Sequence, residues 1–134
     1  MSYKLGKNVT IGDGTSIGDF STIGDNCVIG KDVIISENVI ICAETVIEDN
    51  VFIGPAVVFF DDNYMKQNTS PKFPPMVKKN ARIGGNSSVC QGVVIGENAM
   101  VGIGSLVIFN VPDKEMWHGR PAKRVRSVPD SEVV

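Results

Sequence analysis

IGDGTSIGDFSTIGDNCVIGKDVIISENVI, residues 11–40, places an isoleucine at every sixth position from Ile11 to Ile35 and nearly always follows it with glycine. Neither a helix, with a period of 3.6, nor a flat strand, with a period of 2, calls for that spacing. Extended in both directions, the frame runs unbroken from Leu5 through Ile41, Ile47 and Ile53 to Phe59. The slot two residues before each holds a small or β-branched residue, as at Val9, Thr15, Ser21, Val33, Val39, Thr45 and Val51. Two positions of equal parity define a short strand that points both side chains inward. The following glycine (6, 12, 18, 24, 30 and 54) and a polar pair often ending in Asn (Asn8, Asn26, Asn38, Asn50) read as a corner. Gly and Asn are expected there because both tolerate left-handed backbone. Three strand-and-corner units close a triangle, so 18 residues make one coil, and coils stack about 4.8 Å apart as parallel strands. The expected fold is an all-β prism.

The frame lapses at FDDNYMKQNTSPKFPP (60–75) and returns at Val77, Ile83, Val89, Ile95, Val101 and Val107. Three prolines and the absence of alternation make this stretch, about 60–76, a loop extruded from the wall, and loops on rigid scaffolds are where chemistry concentrates. Residues 1–112 are therefore read as the repeat prism with its inserted loop. Residues 113–134 are read as a closing tail of the same domain that covers the open end of the solenoid.

A chain of 134 residues with net charge −2 offers no broad basic field for nucleic acid or an anionic membrane. No apolar run approaches the ~20 residues of a spanning helix. The N-terminal MSYKLGKN lacks an apolar signal region, and Cys27, Cys42 and Cys90 are odd in number with no C-x-x-C pairing. A reduced cytoplasm is the expected compartment, with the thiols as packed filler.

Repeats such as IGDGTS, IGDNCV, IGENAM and VGIGSL, and the ending VPDKEMWHGRPAKRVR, resemble the hexapeptide-repeat acyltransferases. That resemblance implies a left-handed parallel β-helix; the periodicity alone does not show handedness. VVFFDDNYMKQNTSPKFPPMVKKNARIGGNSSVCQGVVIG, residues 57–96, is similar to the branch that N-acetylates amino sugars linked to nucleotides. The family implies a homotrimer, with acetyl-coenzyme A in a groove between neighbouring prisms and the acceptor entering from the loop side. Val28, Ile34, Ile40, Val46, Phe52 and Val58 occupy the outward slot, two to each face, and suggest burial of outer surface without selecting a face.

The lone histidine, His118, lies in the tail. An alcohol acceptor needs a general base to lose its proton as it attacks a thioester, whereas the unprotonated fraction of an amine needs mainly positioning and a later proton acceptor. The missing histidine therefore favours N-acetylation and also removes a three-His metal site; no metal is expected. The resemblance aligns Asp61 and Asp62 with the Asn and Asp of a T-N-D cluster, Phe60 departing from its hydroxyl residue, and makes these two carboxylates the candidate proton acceptors. Asn63 and Tyr64 are the expected substrate-binding neighbours. For the cofactor, Gly92, Gly102 and Gly104 would let the pantetheine arm approach the wall, one of the nearby amides would meet a developing oxyanion, and Arg120, Lys123 and Arg124 would meet phosphate. The alternatives are a sugar or polysaccharide O-acetyltransferase using His118 or a carboxylate, and a non-catalytic β-helix scaffold. A lattice-binding surface is a further option, but regular threonine ranks are missing from the outer faces.

Overall fold

The computed structural model describes residues 2–66 and 71–133; Gln67–Ser70, within the expected loop, lie outside the described residues. The six-residue frame becomes three parallel sheets that wall a triangular prism, a β-helix of the left-handed hexapeptide type. Face A stacks Lys4–Leu5, Thr22–Ile23, Ile40–Ile41, Val58–Phe59, Ser88–Val89 and Leu106–Val107. Face B stacks Thr10–Ile11, Val28–Ile29, Val46–Ile47, Met76–Val77 and Val94–Ile95. Face C stacks Ser16–Ile17, Ile34–Ile35, Phe52–Ile53, Arg82–Ile83 and Met100–Val101. Corners AB, BC and CA follow the strands of faces A, B and C.

Partners in neighbouring coils are 18 residues apart, as in Lys4↔Thr22, except across the loop, where Val58 pairs with Ser88 and Phe52 with Arg82, 30 apart, and at the tail, where Met100 pairs with Met116, 16 apart. The loop thus adds 12 residues, two whole units of the period. Because the insertion is a multiple of six, every inward slot beyond it keeps its phase, and Val77, Ile83, Val89 and Ile95 are as buried as Ile35 and Ile53. The slot two before is buried as well, at Val33, Val39, Val51 and Val57. Where that slot is polar, the hydroxyl bridges coils: Ser21 Oγ donates to the Ser36 carbonyl at 2.8 Å and accepts from Val39 N at 3.1 Å. These bonds satisfy groups whose burial unpaired would be costly.

Left-handed backbone falls where asparagine was expected, at Asn8, Asn26, Asn38 and Asn50, and continues at Asn80, Asn86 and Asn98. The glycines after the inward isoleucine have a different cause. None of 6, 12, 18, 24, 30 and 54 has positive φ. A Cβ on Gly24 would lie 2.5 Å from Ala43 N and one on Gly54 2.5 Å from Gly85 N, so these glycines are required by the close stacking of corners, not by backbone handedness.

The tail extends a wall rather than simply lidding the prism. Val111 bridges Ile95, then Glu115–Gly119 adds to face C in parallel, Met116 beside Met100 and Trp117 beside Val101. Ala122–Ser127 returns antiparallel beside it, with Ala122 and Trp117 packed against the last layer of the core.

Candidate functional site

At corner AB the chain leaves the wall after Phe59 and returns at Met76. The gap in the corner stack is closed by Phe73, whose backbone N donates to the Asp61 carbonyl (2.9 Å) and whose carbonyl accepts from Gly92 N (2.8 Å). The two loop aspartates are not equivalent. Asp62 accepts from Tyr64 N (2.9 Å), Lys66 N (2.7 Å) and Lys72 Nζ (2.9 Å), and these bonds, Lys72 foremost, hold its carboxyl down at about 2. A carboxylate so stabilised is a weak proton acceptor near neutral pH. Asp62 staples the loop, which corrects its expected share in proton transfer. The half-exposed Asp61 carboxylate has no hydrogen bond or ion pair among the described residues.

Asn63 is tied to the wall by two bonds: its N donates to Gln91 Oε1 at 2.7 Å, and its Oδ1 accepts from Gln91 N at 3.0 Å. Tyr64, 72 % exposed, stands in solvent. It is not among the residues lining the recess of about 350 Å³ between the loop mouth and the last coils, formed by Phe60, Asp62, Asn63, Met65, Cys90, Leu106 and Ile108. Burial raises all three thiols, Cys42 to about 11, so none supplies a thiolate near neutral pH.

The remaining expected residues divide between two edges. Gly92 belongs to corner AB with the loop, whereas Gly102 and Gly104 lie on corner CA, across face A. Gly102 is covered: its Cβ position is 2.6 Å from His118 Cδ2, so the missing side chain accommodates the imidazole and not a ligand. The amides of Gly92, Gly102 and Gly104 are spent on the carbonyls of Phe73, Trp117 and Gly85, so an oxyanion would have to find another nearby amide. Gly104 is open, with nothing within 4 Å of its Cβ position, and its carbonyl accepts from Arg120 Nη1 at 3.1 Å. Lys123 is exposed across the hairpin from His118. Arg124 is drawn away to Glu115 (3.3 Å) and Ser127 Oγ (2.9 Å), which leaves it less available to phosphate than expected.

A groove of about 510 Å³ runs along the face C side of corner CA, with Phe52, Met100 and Met116 as its apolar wall and Gly54 and Gly84 at its edge. Arg82 lies in it, bonded to the Glu132 carbonyl, with a buried Nε lacking a partner. The sequence reading missed Arg82 and Gln91. Arg82 had a signal, since it is the one cation in an outward column that otherwise reads Ser16, Ile34, Phe52, Met100. Gln91 had none.

Residues 8–43 match the bacterial transferase hexapeptide model of six repeats, and residues 77–108 match the hexapeptide repeat of succinyl-transferase, together about half of the chain. The chain belongs to the hexapeptide-repeat transferase family. It is 50 % identical over 48 residues to dTDP-3-amino-3,6-dideoxy-alpha-D-galactopyranose 3-N-acetyltransferase of Aneurinibacillus thermoaerophilus, an overlap of 36 % of this chain and 25 % of that one. It is 30 % identical over 101 residues to galactoside O-acetyltransferase of Lactococcus lactis, covering 66 % of this chain and 49 % of the relative. Among solved structures, a histidine-to-alanine mutant of GDP-perosamine N-acetyltransferase of Caulobacter crescentus, in complex with CoA and GDP-perosamine, superposes with a TM-score of 0.80 at 25 % identity, over 92 % of this chain and 53 % of that one. The chain spans a quarter to a half of the length of these curated relatives.

Proposed function

We propose that this protein transfers an acetyl group from acetyl-coenzyme A to the amino group of a nucleotide-linked amino sugar, in a site shared by two copies of a trimer. The observation that carries the proposal is the division of the site: at corner AB an uncommitted carboxylate, Asp61, at the loop mouth next to Phe60 and Asp62, which line the recess while Asp61 does not, and at corner CA a groove that holds Arg82. A threefold axis parallel to the prism, with face A toward it, sets corner AB of each copy against corner CA of the next at equal height. Asp61 then faces Pro55 of the neighbouring copy, Gln91 faces Gly85, and the exposed Ile108 and Phe109 meet the exposed Ile103. Light scattering is expected to give a trimer, and Ile103→Asp a monomer with little activity. A fully active wild-type monomer would sink the shared site.

The groove fits such a cofactor: its apolar wall suits a pantetheine arm, Arg82 within it supplies positive charge, and Arg120, bonded to the Gly104 carbonyl, and the exposed Lys123 stand outside its lining on the closing hairpin, where an anionic end would meet them. Acetyl-coenzyme A would supply the acyl group as a thioester. Asp61 would hold the sugar's amine by its N–H and take the proton released as the C–N bond forms and the C–S bond breaks, while Asp62 and Lys72 keep the loop shaped. The similarity to an enzyme named for a dideoxy amino sugar supports the acceptor class, and the apolar recess suits a methyl in place of a hydroxymethyl group.

O-acetyl transfer is kept as a second reading because His118 is exposed over Gly102 beside the same groove. Asp61→Ala should lower kcat/KM at least ~10²-fold for an amino acceptor, the scale of a positioned acid–base group, and His118→Ala far less. The Asp61 deficit should ease as pH rises toward the amine's pKa. A dead His118 variant beside a healthy Asp61 variant would reverse the choice.

A further inference from the structure

The Asn63–Gln91 contact does more than close the loop. Both side-chain partners are amide oxygens by necessity, because each faces a backbone N–H that can only donate: Gln91 Oε1 toward Asn63 N, and Asn63 Oδ1 toward Gln91 N. The assignment of the Asn63 amide is thereby set, with Oδ1 toward Gln91 N, and its Nδ2 has no partner among the described residues. Asn63 is one of the residues lining the recess. The others offer little polarity: Phe60, Met65, Leu106 and Ile108 are apolar, Cys90 is a weak donor, and Asp62 is occupied by Tyr64 N, Lys66 N and Lys72. Among the residues that line the recess, the exposed Asn63 therefore carries the one strong uncommitted group, an amide donor whose orientation is held by Gln91.

We infer that Gln91 is a positioning residue, which holds the loop mouth so that Asn63 Nδ2 donates to an oxygen of the acceptor. The inference rests on the reading of the recess as the acceptor site. It assigns a chemical class to what enters: a group offering an acceptor oxygen beside C–H surface, as a pyranose ring oxygen or an ether oxygen does, and not a second N–H donor. It also separates two roles that the loop sequence merges, since Asp61 would touch the reacting amine while Asn63 would touch a part of the sugar that does not react.

Gln91→Met keeps the length of the side chain and removes the oxygen; Gln91→Glu keeps an oxygen that can accept from Asn63 N. With the Met variant, KM for the amino-sugar nucleotide should rise about tenfold, the scale of one hydrogen bond, while KM for acetyl-coenzyme A and kcat stay within about twofold. The Glu variant should recover most of the loss. Amide hydrogen exchange of residues 61–66, which needs no substrate, should accelerate in the Met variant and not in the Glu variant. Unchanged exchange and unchanged acceptor KM in the Met variant overturn the inference, as do Met and Glu variants that are equally impaired. If the Met variant loosens the loop but wild-type protein acetylates no amino-sugar nucleotide, the transferase reading fails and the positioning of the loop by Gln91 stands.

Discussion

Lys72 reaches across the loop to Asp62, its Nζ 2.9 Å from Oδ2, and the same carboxylate collects the amides of Tyr64 and Lys66. The charge of Lys72 and the two N–H donors all favour the ionised form, so the Asp62 carboxyl falls from 3.8 to about 2. A group whose folded value is depressed stabilises the structure above its unfolded value and loses that contribution as pH falls through the folded one. The loop staple is thus expected to be complete above about pH 4 and to open between 4 and 2. An NMR titration of the Asp62 carboxyl should give a midpoint near 2 that rises in Lys72→Ala. A midpoint near neutrality would return Asp62 to the role of proton acceptor.

Glycines on this prism should differ in their tolerance for reasons that only packing distinguishes. Gly24→Ala sets a methyl 2.5 Å from the backbone of Ala43, and nothing short of moving a coil relieves it. Gly104→Ala meets nothing within 4 Å and costs only the strain of a left-handed backbone, about 1–2 kcal/mol. Thermal denaturation should therefore rank Gly24→Ala well below Gly104→Ala. Gly102→Ala should displace His118 and loosen the closing hairpin without opening the lower coils, which near-ultraviolet dichroism of Trp117 would report.

Phe20 occupies the left-handed corner slot that asparagine holds at Asn38 and Asn86 on the same corner, with φ of 63° and 75 % of its surface exposed. Bulky residues are rare in this backbone region and asparagine is enriched in it. Phe20→Asn should stabilise the folded chain by up to about 1 kcal/mol in denaturant unfolding. A loss of stability instead would put the ring in a contact between copies at corner CA.

The groove at corner CA should reveal itself through KM. Arg82→Ala, and Arg120→Ala with Lys123→Ala, remove cations remote from the reacting atoms, so KM for acetyl-coenzyme A should rise about tenfold with kcat nearly unchanged. Arg124→Ala should do less, because Glu115 and Ser127 already engage that side chain. Equal effects from all four cations would argue for a diffuse field and not a defined phosphate site.

The repeat itself determined the prism. A slot filled every six residues by Ile, Val, Leu or Phe specifies which side chains face inward, and the structure buries Ile23, Ile29, Ile35, Ile41, Ile47 and Ile53 in the order they are read. That information is local, because strand alternation and corner chemistry act within six residues. The loop was legible for the same reason, as a lapse in the frame, and so was the departure of the tail. The partners across coils were not. Asn63 meets Gln91 28 residues away, Asp62 is neutralised by Lys72 from the far arm of the loop, and His118 fills the space that Gly102 leaves. Only the stacking of coils decides such contacts, since each depends on where a corner comes to rest above another. The division of the expected site between corners AB and CA has the same origin: Gly92 and Gly102 are only ten residues apart, yet a triangular wall of six-residue sides carries them to different edges.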